Sequence, residues 1–259
     1  MKNVIVIVNQ KGGVGKTTTV VNLATALVQS RKKVLVIDID PQANATTGAG
    51  IDKNNLKHSV YDVLINNVAV EDAIVKSESC KFDLLPSNRN LAGAEIELVD
   101  LAEREFRLKQ ALQNVKEKYD LILIDCPPSL SLLTLNALSS ADYVLVPIQC
   151  EYYALEGLTD LLNTVQLMKG KLNPELELLG ILRTMYDKRN NLALQVSAQL
   201  VEYFDDKVFY VSIPRTVRLA EAPSYGTSAV ALDVEAVGSQ AYIRMARELL
   251  KRLREMNVE

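Results

Sequence analysis

The fold is decided by the stretch Gln10-Lys11-Gly12-Gly13-Val14-Gly15-Lys16-Thr17-Thr18-Thr19. An apolar run at residues 4–8 precedes it, and a segment with helical apolar spacing begins at Val20. This order predicts a strand, a glycine loop and a helix. A glycine loop at a helix N-terminus points several backbone N–H groups at one place, where the helix dipole also favours negative charge. The stretch therefore predicts a phosphate site, in which Lys16 reaches the β- and γ-phosphates and Thr17 holds Mg²⁺.

The loop departs from the general phosphate-loop pattern G-x-x-x-x-G-K-[ST] at one position. The pattern has glycine where this chain has Gln10, and an additional lysine, Lys11, follows at once. The Lys-Thr ending is nevertheless present, and a plain tight turn does not require it. The sequence therefore predicts a nucleotide-phosphate loop, while Lys11 needs an explanation of its own.

Alternating apolar segments predict the rest of the fold. Strands are expected at residues 4–8, 34–37, 82–86, 121–124, 143–148, 178–183 and 208–213. Helices are expected at residues 17–29, 60–64, 70–75, 92–118, 132–139, 155–169, 192–204 and 238–256, with a loop at residues 43–55. This alternation, without Gly/Ser-rich linkers, indicates an α/β fold with a doubly wound, mainly parallel sheet flanked by helices. We expect residues 1–259 to form a single phosphate-loop ATPase domain.

Three aspartates follow two of the predicted strands, where proline residues end the strands. Asp38 and Asp40 follow one strand, and Asp125 follows another. Because ligands of open α/β sheets bind at the carboxyl ends of strands, these carboxylates are expected to share a crevice with the phosphate loop. Asp125 has the position of a Walker B carboxylate that holds Mg²⁺. Asp40 is the better candidate to orient the attacking water near the metal, and Asp38 either shares that task or bonds the phosphate loop.

Six motifs in this sequence resemble those of one family. The segments KGGVGKT (11–17), DIDPQ (38–42) and IDCPPS (124–129) are similar to the deviant Walker A, switch I and switch II motifs of the ParA/MinD superfamily. The similarity continues through GAEIEL (93–98), QCEYYALEGL (149–158) and IPRTVRLAEAP (213–223). It covers nearly the whole chain and is strongest to the chromosomal Soj branch of the ParA partition ATPases.

The resemblance implies a role for Lys11. In similar proteins this lysine crosses a dimer interface to the phosphates of the partner's ATP, so that two protomers enclose two nucleotides. Lys11, Lys16 and Asp40 are then the catalytic residues, and Thr17, Asp40 and Asp125 form the metal site. The residues expected at ATP are Lys11, Gly12, Gly13, Val14, Gly15, Lys16, Thr17, Thr18, Pro214 and Arg215, the last two near the adenine.

The resemblance also implies that the ATP-bound homodimer binds double-stranded DNA without sequence preference and that a ParB-type centromere-binding partner stimulates hydrolysis. The net charge of −3 and the pI near 5.5 argue against DNA binding through overall charge, but they allow a local basic patch. Arg189 and Arg218 match positions that the Soj branch uses for DNA, and Lys188 lies beside one of them. The lysine that relatives often carry after Tyr225 is absent, which predicts weaker DNA binding.

A basic stripe is predicted on the last helix. Its residues recur at helical spacing and are Arg244, Arg247, Lys251 and Arg254. Glu248 and Glu255 flank them, so the stripe is either a DNA surface, with Arg247 and Lys251 among its contacts, or a mixed-charge face in solvent.

Other classes of function are disfavoured by what the sequence lacks. His58 is the only histidine, and three dispersed cysteines form no metal-binding pattern. The nitrogenase-type reductases need matched cysteine motifs, and GTPases need an Asn-Lys-x-Asp run; neither is present. No apolar run reaches the length of a membrane span and no leader precedes the first strand, so we expect a cytoplasmic, nucleoid-associated protein without stable membrane association.

Two alternatives share the predicted site. One is a MinD-like ATPase that docks on membrane through an amphipathic C-terminal helix, although residues 248–256 carry acids among their bases and no bulky aromatic residue. The other is a nucleotide-gated scaffold that turns over slowly and regulates another protein by binding it.

Overall fold

One sheet organises residues 2–257, the part of the chain that the computed structural model describes. Its strands are β1 (Val4–Ile7), β2 (Val34–Asp38), β3 (Val75–Lys76), β4 (Asp83–Leu85), β5 (Leu121–Asp125), β6 (Tyr143–Gln149) and β7 (Glu177–Thr184). The strand order is β3-β4-β2-β5-β1-β6-β7. The pair β3–β4 is antiparallel, and all other neighbouring strands run parallel. The predicted doubly wound, mainly parallel α/β fold is therefore confirmed.

Helices cover both faces of this sheet. They are α1 (Lys16–Gln29), α2 (Asn44–Gly48), α3 (Val60–Ile65), α4 (Val70–Ala73), α5 (Leu91–Glu97), α6 (Arg107–Leu112), α7 (Leu132–Ser140), α8 (Ala154–Lys171), α9 (Asn191–Phe204), α10 (Val217–Glu221), α11 (Ala229–Leu232) and α12 (Val237–Met256). Short 3₁₀ turns lie at Leu98–Asp100, Lys116–Lys118, Asp205–Lys207 and Ala222–Tyr225.

Alternate residues of the central strands feed two hydrophobic cores. In β1, Val4 and Val6 pack into one core with α3 and α5 to α9, while Ile5 and Ile7 pack into the other with α1 and α12. Each of these four side chains is fully buried. Burial on both faces explains why the strands read as continuous apolar runs in the sequence.

Three predicted elements differ in the structure. The predicted loop at 43–55 contains α2, the predicted helix at 70–75 ends at Ala73 before β3, and the predicted helix at 92–118 is interrupted. The interruption follows from side chains of α7 that bind backbone carbonyls between α5 and α6. Asn136 Nδ2 donates to Arg104 O at 2.7 Å, and Ser139 Oγ donates to Glu105 O. A continuous helix would need these carbonyls for its own hydrogen bonds.

The predicted strand at 208–213 is also wrong, because that segment runs beside β7 without joining the sheet as a regular strand. Two amides of this segment bind β7: Phe209 N donates to Ile181 O at 3.0 Å, and Ile213 N donates to Arg183 O at 2.8 Å. Between these two bonds, the amides of Tyr210 and Val211 are bound by the carboxylate of Glu248 from α12. The segment therefore covers the outer edge of β7 without extending the hydrogen-bond ladder.

Candidate nucleotide site

The glycine loop lies between β1 and α1, as the sequence predicts. Gly13 and Gly15 have φ values of +74° and +87°, in the left-handed region where glycine is strongly favoured. Thr184, at the end of β7, donates from Oγ1 to the carbonyl of Val14 at 2.7 Å. The end of β7, two strands away from β1, thus holds the loop at the carboxyl edge of the sheet.

Lys16 lies on the inner side of this loop. Its Nζ donates to Asn9 O at 2.9 Å and to Lys11 O at 3.1 Å. Burial lowers the pKa of Lys16, while the negative charge of Asp125 opposes that shift. The ammonium group is therefore held by two backbone carbonyls at the start of the phosphate loop.

Thr17 and Asp125 form the part of the site that suits a metal ion. Thr17 Oγ1 donates to Asp125 Oδ2 at 2.7 Å, while the buried Oδ1 has no hydrogen-bond partner among residues 2–257. Burial, followed by the charge of Asp38, raises the pKa of Asp125 well above its usual value. Within the same residues, no cluster of three or more His, Cys, Asp or Glu side chains could hold a metal ion. The unpartnered carboxylate oxygen of Asp125 beside the Thr17 hydroxyl fits Mg²⁺, which phosphate-loop sites bind through few protein oxygens together with nucleotide phosphates.

The two aspartates after β2 have different surroundings. Asp38 is fully buried, and its Oδ2 accepts from Thr46 N at 2.8 Å and from Thr46 Oγ1 at 2.7 Å. Burial raises the pKa of Asp38 to about 6. Asp40 is 9% exposed and uses Oδ1 to accept from Gln42 N at 2.9 Å. Asp38 therefore binds α2 through Thr46 and, in residues 2–257, forms no hydrogen bond to the phosphate loop, whereas Asp40 is the less buried of the two carboxylates.

The side chain of Lys11 is half-exposed, unlike that of Lys16. Its Nζ is ion-paired with the carboxylate of Glu151, just after β6, and the two side chains are 49% and 45% exposed. Tyr152 and Tyr153 follow with exposures of 75% and 71% and pack edge to face. Lys11 and the two tyrosines thus lie on an open surface at the mouth of the site.

A cavity of about 200 Å³ borders the phosphate loop. Its lining includes Gly13, Gly15, Thr18, Thr184, Pro214, Arg215 and Tyr242. The two residues predicted near adenine are therefore next to the phosphate loop in space, although the sequence separates them by about 200 residues. Sequence analysis missed Tyr242, whose hydroxyl is 3.1 Å from Thr19 Oγ1, because its position in an apolar helix pattern carries no signal for a pocket.

The predicted DNA residues are all exposed, and several are paired with acids. Arg189 binds Asp187 at 2.8 Å, which lowers the pKa of that carboxyl to about 2. Arg218 binds Glu221 at 2.6 Å and lies 3.4 Å from Asp233. Lys251 pairs loosely with Glu255, at 3.7 Å. Exposed pairs of this kind are weak, so DNA phosphates can compete for these cations.

The basic stripe of α12 is less mixed in charge than the sequence suggests. The carboxylate of Glu248 turns inward. It accepts hydrogen bonds from the amide of Tyr210 and from the guanidinium of Arg252, each at 2.9 Å. Lys188 and Arg244 line one cavity of about 460 Å³ with Tyr210. Tyr210 also lines a second cavity, of about 340 Å³, with Lys251. The structure therefore brings Lys188 close to the α12 stripe, whereas Arg218 lies outside both cavities.

In residues 2–257, the structure contains no helix that is both long enough and apolar enough to span a membrane. The three cysteines are buried as free thiols. Burial raises the pKa of Cys126, next to Asp125, well above its usual value. A buried thiol with a raised pKa is a poor nucleophile, so Cys126 is not suited to nucleophilic chemistry.

A parallel sheet, a deviant phosphate loop and carboxylates at adjacent strand ends define a phosphate-loop nucleotide-binding protein. A family model described as "AAA domain" matches residues 2–178. The chain is 52% identical over 249 residues to the sporulation initiation inhibitor protein Soj of Bacillus subtilis, covering 96% of this chain and 98% of Soj. It is 49% identical over 254 residues to the chromosome partitioning protein ParA of Caulobacter vibrioides, covering 97% of this chain and 95% of that ParA.

A solved structure adds a nucleotide-bound neighbour. Cobyrinic acid a,c-diamide synthase of Mycobacterium smegmatis, crystallised with an ATP analog and magnesium, is 37% identical with a TM-score of 0.86, covering 98% of this chain and 96% of that one. This agrees with the nucleotide and metal predicted from the sequence. At about 50% identity over nearly full length, the partition proteins are the nearer relatives. The chain belongs to the Soj/ParA family of chromosome-partitioning ATPases.

Proposed function

We propose that this protein is a partition ATPase that dimerises on binding ATP, holds DNA non-specifically as the dimer and releases it after hydrolysis stimulated by a ParB-type partner. The observation that carries the proposal is the separation of its two loop lysines. Lys16 is buried inside its own pocket, whereas Lys11 is half-exposed at the mouth, beside Tyr152 and Tyr153. A cation placed outside its own pocket supports a role at the nucleotide of a second protomer.

The residues of one protomer divide the work at ATP. The N–H groups of residues 12–18 and the ammonium of Lys16 bind the phosphates, and Pro214 and Arg215 border the base. Thr17 Oγ1 and Asp125 would hold Mg²⁺, which supplies charge neutralisation on the phosphates when bound. Asp40 would orient the attacking water and is the third residue predicted at the metal. Electrostatic stabilisation dominates phosphoryl transfer, so Lys11 of a second protomer would complete the site only on dimerisation.

DNA is proposed to lie along the exposed cations. These are Lys188, Arg189, Arg218, Arg247 and Lys251, with Arg244 added from the cavity that it shares with Lys188. A two-fold dimer doubles every such patch together with the net charge of −3, so binding depends on the local density of cations on one face and not on overall charge. The contacts go to phosphates, so binding is expected to be independent of sequence and sensitive to salt.

The MinD-like alternative is not favoured by the C-terminal helix. Leu249 and Leu253, on the apolar side of α12, are 0% and 7% exposed and belong to the core that includes α1. That side of the helix is therefore covered by the protein itself, whereas membrane docking requires a free apolar face.

Co-sedimentation tests the proposal. Wild-type protein and Lys16→Ala are mixed with random-sequence DNA or anionic liposomes, in ATP or ADP, over a salt series. We expect wild type to sediment with DNA in ATP only, with affinity falling as salt rises, and Lys16→Ala not to sediment. Liposome binding without DNA binding would favour the MinD-like alternative. Equal DNA binding in ATP and ADP would refute the switch.

A second arm maps the DNA surface. Arg189→Glu and Arg218→Glu should each weaken DNA binding while basal ATP hydrolysis persists. Lys33→Glu is the matched control, because this exposed lysine at the amino end of β2 lies outside the proposed DNA residues. An equal loss of DNA affinity in the control would show that only net charge matters.

A further inference from the structure

We propose that α5 and the 3₁₀ turn after it form a docking surface for a basic segment of the stimulating partner. This surface, called here the α5 surface, consists of Ala92, Glu95, Ile96, Val99 and Asp100. The proposal rests on the proposed function, because it assigns a place and a chemistry to the partner that accelerates hydrolysis. It further infers that the surface acts on Asp40 through the loop at residues 86–90.

The centre of the α5 surface is apolar and open. Ile96 is 77% exposed and Val99 is 50% exposed, and their spacing of three places both on one side of the helix. Leu91, Ala94 and Leu98 are fully buried on the opposite side, which fixes the helix on the core. Single exposed apolar residues are common, but here two lie together on a rigid element. A rigid apolar patch is suited to one or two side chains of a partner.

The rim of the α5 surface is acidic. Residues 95–103 contain four acids and no base, and Arg104, the base that follows them, donates to Val99 O at 2.7 Å and is paired with Glu105. Among residues 2–257, neither Glu95 nor Asp100 forms an ion pair with a Lys or Arg side chain, whereas Glu103 accepts a hydrogen bond from Gln110 Nε2. Glu97, on the neighbouring side, is bound by the hydroxyl of Tyr61 at 3.1 Å. Unpaired carboxylates around an apolar centre are complementary to a segment that combines Lys or Arg with an aliphatic side chain.

A second copy of this chain fits the α5 surface less well. In a two-fold dimer each patch on the symmetry axis meets itself, so Glu95 and Asp100 would face their own copies. Like charges across an interface are unfavourable. The acidic rim therefore favours a different, basic partner.

The α5 surface is connected to the catalytic residues by a short, buried path. Ser87, in the loop that joins β4 to α5, donates from Oγ to Asp40 O at 2.8 Å. Its amide donates to Thr46 Oγ1 at 2.9 Å, and that hydroxyl donates to Asp38. Ser87 and Thr46 are fully buried. A partner that shifts or stiffens α5 would therefore change the backbone position of Asp40 without touching the nucleotide.

Charge reversal tests the docking surface. The probe is the purified ParB-type protein from the organism that carries this chain, added with DNA, ATP and Mg²⁺. The double variant Glu95→Lys/Asp100→Lys is compared with Glu117→Lys/Glu202→Lys, which reverses two exposed acids elsewhere. We expect the α5 variant to need at least about tenfold more partner for half-maximal stimulation, about 1.4 kcal/mol. Basal hydrolysis and ATP-dependent dimerisation should be unchanged in both.

The outcomes separate this proposal from the proposed function. If the partner does not stimulate the wild-type protein, the proposed function fails. If it stimulates the wild type and the α5 variant equally, the docking surface alone is wrong. If the α5 variant loses dimerisation without any partner present, the surface belongs to a second copy of the chain and the proposal is overturned.

Two further variants test the apolar centre and the path to Asp40. Ile96→Asp, at a mostly exposed position, should weaken partner binding with little change in melting temperature. Ser87→Ala should leave partner affinity unchanged but lower the ratio of stimulated to basal hydrolysis. If Ser87→Ala lowers both rates by the same factor, Ser87 is only structural and the inferred path is wrong.

Discussion

Lys11 and Glu151 are ion-paired across the mouth of the nucleotide site within one chain. Glu151 follows β6, and Lys11 belongs to the loop after β1, so the pair joins two neighbouring strand ends. In the proposed dimer Lys11 serves the nucleotide of the other protomer. The intramolecular pair must therefore open when the dimer forms, and Glu151 competes with the partner's phosphates.

Glu151→Gln should therefore strengthen the ATP-bound dimer. Two such pairs open when a dimer forms and each contributes about 0–1 kcal/mol, so the dimer dissociation constant should fall by up to about thirtyfold. Sedimentation velocity in ATP and Mg²⁺ measures it, in an Asp40→Ala background that prevents turnover. Glu175→Gln, which removes an exposed acid paired with Lys2 at 3.4 Å, is the control. A weaker dimer in Glu151→Gln would mean that Glu151 contributes to the interface.

Asp40→Ala should trap the dimer. Loss of the group that orients water should slow hydrolysis by about 100-fold or more, while the phosphate loop still binds ATP. Size-exclusion chromatography with ATP and Mg²⁺ should then show a long-lived dimer. Asp72→Ala, at an exposed position in α4, should behave as wild type. A monomeric Asp40→Ala protein under these conditions would contradict the role of Asp40.

Asp125→Asn should abolish metal binding without lowering the stability of the unliganded protein. Asp125 is a buried carboxylate near two other acids, and asparagine can still accept the hydrogen bond from Thr17. The free energy of unfolding without ligand should stay equal or rise by about 1 kcal/mol, which is about 2–4 °C in Tm. The additional stabilisation that Mg²⁺ gives in the presence of ATP should be lost. A large fall in Tm without ligand would show that the charge of Asp125 is needed by the fold.

Gly50→Ala should destabilise the protein. Gly50 has φ of +80°, and an added Cβ would lie 2.6 Å from the carbonyl oxygen of Gly226. Strain and this clash should lower the free energy of unfolding by about 2 kcal/mol or more, or about 4–8 °C in Tm. Gly170→Ala in α8 is the control, because its Cβ would meet open space and the helix gains propensity. Thermal melts of both variants compare the two sites directly.

The sequence is sufficient to predict features that depend on residues close to one another along the chain. The glycine loop, the aspartates that end β2 and β5, and the alternation of strands and helices were all predicted at their places. Features set by distant residues were missed. Helix α2 is fixed by the bond between Thr46 and Asp38, and the segment at 208–213 is kept out of the sheet by Glu248 of α12. Tyr242 lines the cavity beside the phosphate loop only because α12 packs on α1.

The two edges of the sheet limit how this chain can associate with copies of itself. In the part of the chain that the structure describes, one edge is the two-residue strand β3 and the other, β7, is covered by residues 208–214. Neither edge offers a long row of free N–H and C=O groups, so growth by strand addition is blocked. Copies must then meet through side chains, and such contacts can be reversed. An assembly that is switched by a nucleotide requires this reversibility, since strand-on-strand polymers are too stable to be dissolved by a single hydrolysis event.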